Sequence, residues 1–202
     1  MRWSDLVAHE RGTMWAIATT RDVSTTVTPG VAATFAEARR DQAEEVAAAM
    51  GQADVAVFLE RLHAGRRCFV ARVDGSIAAY GWASQGLERI GELERPFHMA
   101  AGEAYIWDCA TLPPYRGKRL YSGLLSHMVA TLRDDGVRRI WIGASLGNQP
   151  SVRGFASAGF QPVITLTYLR LLAFRHVWIR DDPAAPATLT ADVRAALTGA
   201  MR

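Results

Sequence analysis

The chain predicts an α/β fold in which a mixed central sheet of about six to seven strands is flanked by helices. Three observations carry this prediction. Between residues 104 and 158 an apolar β-type run, a basic loop, a helical pattern, a second apolar run and a second helical pattern follow one another. A strand–helix–strand unit of that length joins parallel neighbours through a right-handed crossover. Upstream, two β-type runs meet at Asp74-Gly75, a two-residue connection typical of a hairpin, which adds an antiparallel component. Finally, 202 residues of which 50% are hydrophobic and 21% charged suffice for one sizeable core. One domain is expected over residues 1–180, with a tail over 181–202.

Taken in order, residues 13–24 contain a short β-prone run, and Thr28-Pro-Gly30 is a turn signal. From Phe35 to Met50 the sequence turns to Ala, Glu, Arg and Gln. Phe35, Ala38, Val46, Ala49 and Met50 fall near one helical face, and Gly51 is the stop, so a helix is expected. A second helix is expected from about Val55 to His63, ending at Gly65. Strands follow at 67–73 and 76–83. Residues 85–103, which include Glu92, Glu94 and His98, read as a polar loop. The next strand is 104–111. Leu120, Leu124, Leu125, Met128, Val129 and Leu132 then form an apolar helical stripe, with Gly136 beyond its end. Val137–Ser145 reads as a strand, Asn148-Gln-Pro-Ser151 as a loop entering a helix that stops at Gly159, Phe160 to about Arg180 as two strands turning near Leu172–Phe174, and Thr190–Ala200 as a terminal helix after the break at Asp182-Pro-Ala-Ala-Pro186.

Composition excludes several classes. The formal net charge is +3, and the basic doublets Arg39-Arg40, Arg66-Arg67 and Arg138-Arg139 are isolated, so no nucleic-acid stripe is present. His9, His63, His98, His127 and His176 show no metal-ligand spacing, and no metal is expected. No run reaches the 18 or so apolar residues of a membrane span, and the N-terminus lacks signal-peptide zones, so a cytoplasmic protein is expected. Cys68 and Cys109 lie apart in apolar runs and read as buried thiols of a reducing compartment.

The chemistry-bearing stretch is Thr111-Leu-Pro-Pro-Tyr-Arg-Gly-Lys-Arg-Leu-Tyr-Ser122, which leaves a strand and opens into a helix. A helix N-terminus offers unpaired N–H groups and about half a positive charge, which suits a phosphate. Arg116, Lys118 and Arg119 add positive charge there, and Gly117 allows close approach of the backbone. A plain basic turn remains the alternative for this stretch on its own.

In this setting the chain resembles the GNAT superfamily of acyl-CoA-dependent N-acetyltransferases through three motifs. Pro113-Pro-Tyr115 followed by Arg116-Gly-Lys-Arg-Leu-Tyr121 is similar to the family's Arg/Gln-x-x-Gly-x-Gly/Ala pyrophosphate signature. Asn148-Gln-Pro-Ser151 stands where the family commonly has an Asn contacting the cofactor, although helix capping is an equally ordinary role for Asn148 and Ser151. Phe155-Ala-Ser-Ala-Gly-Phe160 is similar to the family's Tyr-x-Lys-x-Gly-Phe helix end. The resemblance covers residues 13–180 and is strongest across 104–160. It implies acetyl-CoA as acyl donor, held by Thr111, Arg116, Gly117, Lys118, Arg119, Leu120, Tyr121, Ser122, Asn148, Ser151 and Phe155. It also implies a small-molecule or peptide amine as acceptor, and it is compatible with a homodimer.

Two departures stand out. Arg119 and Tyr121 replace the signature glycines, and Phe155 replaces a tyrosine that in the family protonates the departing thiolate. Direct attack by an amine needs a proton acceptor and oxyanion donors. Asp108, inside an apolar strand where desolvation raises a carboxyl pKa, is the candidate catalytic carboxylate; facing a helix N-terminus or an arginine in a structural role is its alternative. Cys109 reads as an inert strand thiol, with an acyl-accepting nucleophile as its alternative. Tyr105, Trp107 and Trp141 serve either an acceptor pocket or the core, and Tyr168 is a distant candidate acid. Amine acetylation is thus the leading expectation, and a catalytically weak CoA-binding sensor or interaction module is the alternative.

Overall fold

A computed structural model describes residues 7–19, 27–52, 54–90, 95–171 and 174–199. In chain order the elements are β1 (Val7–Ala18), β2 (Thr34–Glu37), α1 (Ala43–Ala49), α2 (Ala56–His63), β3 (Arg67–Val73), β4 (Ser76–Ser84), β5 (Leu87–Ile90), β6 (Arg95–His98), β7 (Glu103–Thr111), α3 (Leu120–Asp134), β8 (Arg139–Ser145), α4 (Gln149–Ser157), β9 (Gln161–Leu171), β10 (Phe174–Asp181) and α5 (Ala187–Thr198). Among the described residues, eight strands form one sheet in the order β10-β9-β1-β8-β7-β4-β3-β2, and β5 pairs with β6 separately. The sheet is mixed, as expected, with eight strands where six to seven were predicted.

Alternation along the central strands explains the layers. Ala104 and Ile106 of β7 and Ile140 and Ile142 of β8 face the helices α3 and α4, packing with Leu124, Leu125, Met128 and Phe160. Tyr105 and Trp141 point to the other face, toward Phe97 of β6 and Val193 and Leu197 of α5. On that face, under β3 and β4, α1 and α2 contribute Val46 and Phe58 against Cys68, Val70 and Trp82. Both faces are therefore covered, and the central strands read as apolar runs.

The structure corrects two sequence expectations. The helix predicted from Phe35 begins only at Ala43, because Thr34–Glu37 pairs antiparallel with β3 as an edge strand. Pairing with an open edge overrides the local helical preference of Phe-Ala-Glu-Ala. The loop predicted over 85–103 contains the antiparallel pair β5–β6. Its Glu88 is buried at 5% exposure and bound in two places by Arg66, Nε to Oε2 at 2.6 Å and Nη2 to Oε1 at 3.0 Å. Glu92 and Glu94 lie outside the described residues, as does the predicted turn at residues 172–173. The terminal helix is α5, and among the described residues no helix is long and apolar enough to cross a membrane.

The topology places the site. β7 and β8, the sheet's parallel pair, are in register only over Glu103–Ile106 against Arg139–Ile142. Beyond that, β7 stays with β4 up to Thr111, and β8 stays with β1 up to Ser145. The two strands diverge at their carboxyl ends, where ligands of open α/β sheets bind.

Burial opposes ionisation of Glu88, yet Arg66, the Arg89 N–H and Ser84 together hold its carboxyl below the usual range. A depressed folded-state pKa contributes stability above the unfolded value of about 4.3, which is lost as pH falls through the folded value. Arg66→Met leaves this carboxylate buried and unpaired, a loss of about 3 kcal/mol near neutral pH. Desolvation then raises the carboxyl pKa, so the variant regains stability on acidification to about pH 5, where the wild type gains none. Urea unfolding at the two pH values checks the reversal.

Candidate functional site

The loop after β7 is built by backbone constraints. Leu112 still donates its N–H to the Ala78 carbonyl at 2.9 Å, and Pro113–Tyr115 forms one 3-10 turn. Gly117 (φ 77°) and Arg119 (φ 58°) then take left-handed conformations that swing the chain into α3. For Arg119 that conformation is strained by about 1–2 kcal/mol, and it stands where the resemblance places a glycine. The Gly30 N–H braces the loop at the Lys118 carbonyl at 2.9 Å, and Arg116 Nε donates to the Thr111 carbonyl at 3.2 Å. No side chain caps α3, so its first-turn N–H groups remain available to a ligand.

Beside the loop lies a cleft of about 680 Å³, bounded by the end of β7, the start of α3 and the first two turns of α4. Among the described residues, three guanidinium groups line it, from Arg116, Arg119 and Arg153, and no carboxylate does. Asn148 caps α4, its Oδ1 accepting from the Ser151 N–H at 3.3 Å. The Thr111 hydroxyl, on the β7 wall, is buried without a hydrogen-bond partner. This donor set fits a polyphosphate and its attached arm: cationic groups and a helix N-terminus at one end, a strand edge released from β8 at the other.

Of the sequence-derived candidates, Thr111, Arg116, Gly117, Arg119, Tyr121, Ser122, Asn148 and Ser151 converge on this cleft. Three other cofactor candidates do not line it, and neither does Asp108. Lys118 places its Nζ over the Tyr115 ring at 5.5 Å, and Leu120 is buried beneath the loop with Val73 and Ala78. Phe155 is buried in the core, with its ring 6.0 Å from Trp15 and 6.4 Å from Phe160. Arg153 was not anticipated; its basic side chain five residues after Asn148, on the opening turns of a helix, was the available signal.

Asp108 sits in a β-bulge. Trp107 pairs with Trp82 and Ala110 with Tyr80, so Asp108 and Cys109 together oppose Gly81. A Cβ on Gly81 would lie 2.6 Å from Cys109 Sγ, so the bulge requires glycine there. Asp108 has φ 45°, and its carboxylate, 35% exposed, meets Arg61 Nη1 at 2.5 Å. The apolar burial expected around this carboxylate is absent, because the bulge breaks the strand's alternation and turns it toward α2. The Arg61 guanidinium in turn lies 5.0 Å from the Trp82 ring centre and 4.6 Å from that of Trp107. Burial pushes the Cys109 thiol well above its ordinary value, which suits an inert side chain.

The remaining aromatic candidates divide. Tyr105 lines a cavity of about 40 Å³ on the opposite side of the splayed strands, with Met14, Ile90 and Leu166. Trp141 is core, its indole N–H donating to Glu103 at 2.9 Å, and Tyr168 is buried with its hydroxyl unpaired.

A mixed sheet whose parallel pair splays open beside a basic, helix-opening loop defines the class: an α/β protein with a cationic cleft at the carboxyl ends of two central strands. Residues 33–160 match the family model described as the Acetyltransferase (GNAT) family, and the chain belongs to that family. An uncharacterized N-acetyltransferase of Mycobacterium tuberculosis (strain ATCC 25618 / H37Rv) is 32% identical over 112 residues, 55% of this chain and 64% of that protein. A GCN5-related N-acetyltransferase from Sphaerobacter thermophilus superposes with a TM-score of 0.59 at 16% identity, covering 86% of this chain and 54% of the other. An aminoglycoside N-acetyltransferase solved in complex with CoA gives 0.51 at 18% identity, covering 63% and 91%.

Tyr121, at the second signature-glycine position, fits because Gly154 on α4 has no side chain: a Cβ there would lie 2.4 Å from the Tyr121 ring. Gly154→Ala is therefore expected to destabilise by about 1–3 kcal/mol through overpacking, despite alanine's better helix propensity. With Tyr121→Ala in place, the same substitution becomes stabilising. A double-mutant cycle by urea unfolding reads this change of sign.

Proposed function

We propose that the protein moves an acetyl or other short acyl group from acyl-CoA to a primary amine, by direct attack within a ternary complex. The observation that carries this reading is the cleft in which three arginines and the uncapped start of α3 sit beside a strand edge released from its neighbour. Arg116, Arg119 and Arg153, with the backbone N–H groups from Gly117 through Lys118, Leu120 and Tyr121 to Ser122, hold the donor's pyrophosphate. The free edge of β7 up to Thr111 pairs with the extended arm as an added strand would. Asn148 and Ser151 close the α4 side, and Phe155 backs that wall from the core.

When bound, acetyl-CoA supplies the activated thioester; the chain supplies position, charge and a dry wall. The bulge at Asp108–Cys109 takes two residues out of the regular β4 register, and their backbone N–H groups are the donors this reading assigns to a developing oxyanion. Asp108 accepts the amine's proton, with Arg61 holding the carboxylate in place. The free thiols of Cys68 and Cys109 accord with a reducing compartment, the cytoplasm.

A second reading, a CoA-binding module with little turnover, is favoured by Phe155, which cannot donate a proton. Incubating the purified protein with acetyl-CoA and a panel of small amines and peptides, while following free thiol, separates the two. Acceptor-dependent thiol release supports transfer, and tight CoA binding without any release favours the module. In the transfer reading, Asp108→Asn lowers kcat at least about tenfold while acetyl-CoA affinity stays within about twofold. Paired Arg116→Ala and Arg119→Ala substitutions weaken CoA binding at least about tenfold and flatten its salt dependence, as measured by calorimetry.

A further inference from the structure

The cleft wall holds a proton donor at a position other than 155. We infer that Tyr121 protonates the departing thiolate, acting from the first turn of α3 across the α3–α4 contact; this rests on the acyl-transfer reading above.

Four observations converge on Tyr121. Its side chain leaves the loop and turns inward, lying against the backbone of Gly154, the residue immediately before Phe155, with the two rings 6.3 Å apart. The phenol therefore reaches the patch of α4 next to the phenylalanine, and unlike that phenylalanine it lines the cleft. The Ser151 side chain, which lines the same wall, stands near enough to this hydroxyl to favour its ionised form. Among the described residues, the other ionisable groups lining the cleft are Cys109 and the arginines Arg116, Arg119 and Arg153, and no carboxylic acid competes for the role.

The acid–base balance suits the task. Burial raises the Tyr121 phenol well above its ordinary value, with Cys109 and Tyr105 adding to the effect and Ser151 opposing it, so the proton is in place at neutral pH. A thiolate leaving into the same wall is an equally poor anion there, as the raised Cys109 thiol shows. As the amine nitrogen forms its bond to the acyl carbon, the C–S bond breaks and its electron pair goes to sulfur. The Tyr121 Oη–H proton passes to that sulfur. The proton released by the acylated nitrogen, taken up by Asp108, returns through water to the phenolate, which Ser151 favours electrostatically. Amine and thioester become amide and thiol, with no net proton gained or lost.

Tyr121→Phe keeps the ring against Gly154 and removes only the hydroxyl. The expected result is a fall in kcat of about 10²-fold with KM for acetyl-CoA within about twofold. Replacing Tyr121 by 3-fluorotyrosine, a stronger acid of nearly the same shape, is expected to change kcat where a merely packed ring would leave it unmoved. A binding measurement is independent of turnover: calorimetry is expected to show the wild type preferring CoA over desulfo-CoA several-fold, with Tyr121→Phe abolishing the preference. Turnover of the Phe variant within twofold of wild type overturns the role of Tyr121 and leaves acyl transfer standing. If the wild type releases no thiol with any acceptor, the transfer reading fails instead, and a sulfur preference that persists in Tyr121→Phe overturns the contact as well.

Discussion

The structure depends on a parting of two strands. β7 and β8 are joined over only four residue pairs before each follows its outer neighbour. The bulge at Asp108–Cys109, admitted by Gly81, adds twist and bend to β7 where the separation begins. A continuous ladder would have sealed both backbone edges and left no opening into the sheet. With it broken, the edge of β7, the basic loop and the start of α4 face one cleft, while Tyr105 faces a small cavity on the other side. Openings on opposite sides of one gap follow from this single defect.

Around that gap the chain trades local comfort for shape. Arg119 occupies a left-handed position that glycine fills more easily, and in return sets a guanidinium at the cleft. Tyr121 and Gly154 are one device written on two helices, a large side chain accommodated by a missing one. Read singly, each is a departure from a pattern. Read together, they keep the α3–α4 contact filled and carry a hydroxyl to the wall beside Phe155.

Much of the fold was legible in the sequence because its signals are local. Asp74-Gly75 marks its hairpin, and the stripe from Leu120 to Leu132 marks α3, since turn chemistry and helical periodicity are properties of neighbouring residues. Errors fell where partners distant in sequence decide. Thr34–Glu37 became a strand because β3 offers it an edge, and Leu87–Ile90 because Arg66, 22 positions away, neutralises Glu88 inside the protein. The contribution of Arg153 and the pairing of Asp108 with Arg61 were hidden for the same reason.

By itself the sequence determined the order of elements, the basic loop at a helix start and the family likeness, since each is written in contiguous residues. Only the tertiary structure decided that β7 parts from β8, that Asp108 leaves the apolar face for Arg61, that Phe155 retires into the core and that Tyr121 turns to the cleft wall. Those outcomes depend on which side chains from separate elements compete for the same space and charge, and that competition exists only once the chain has packed.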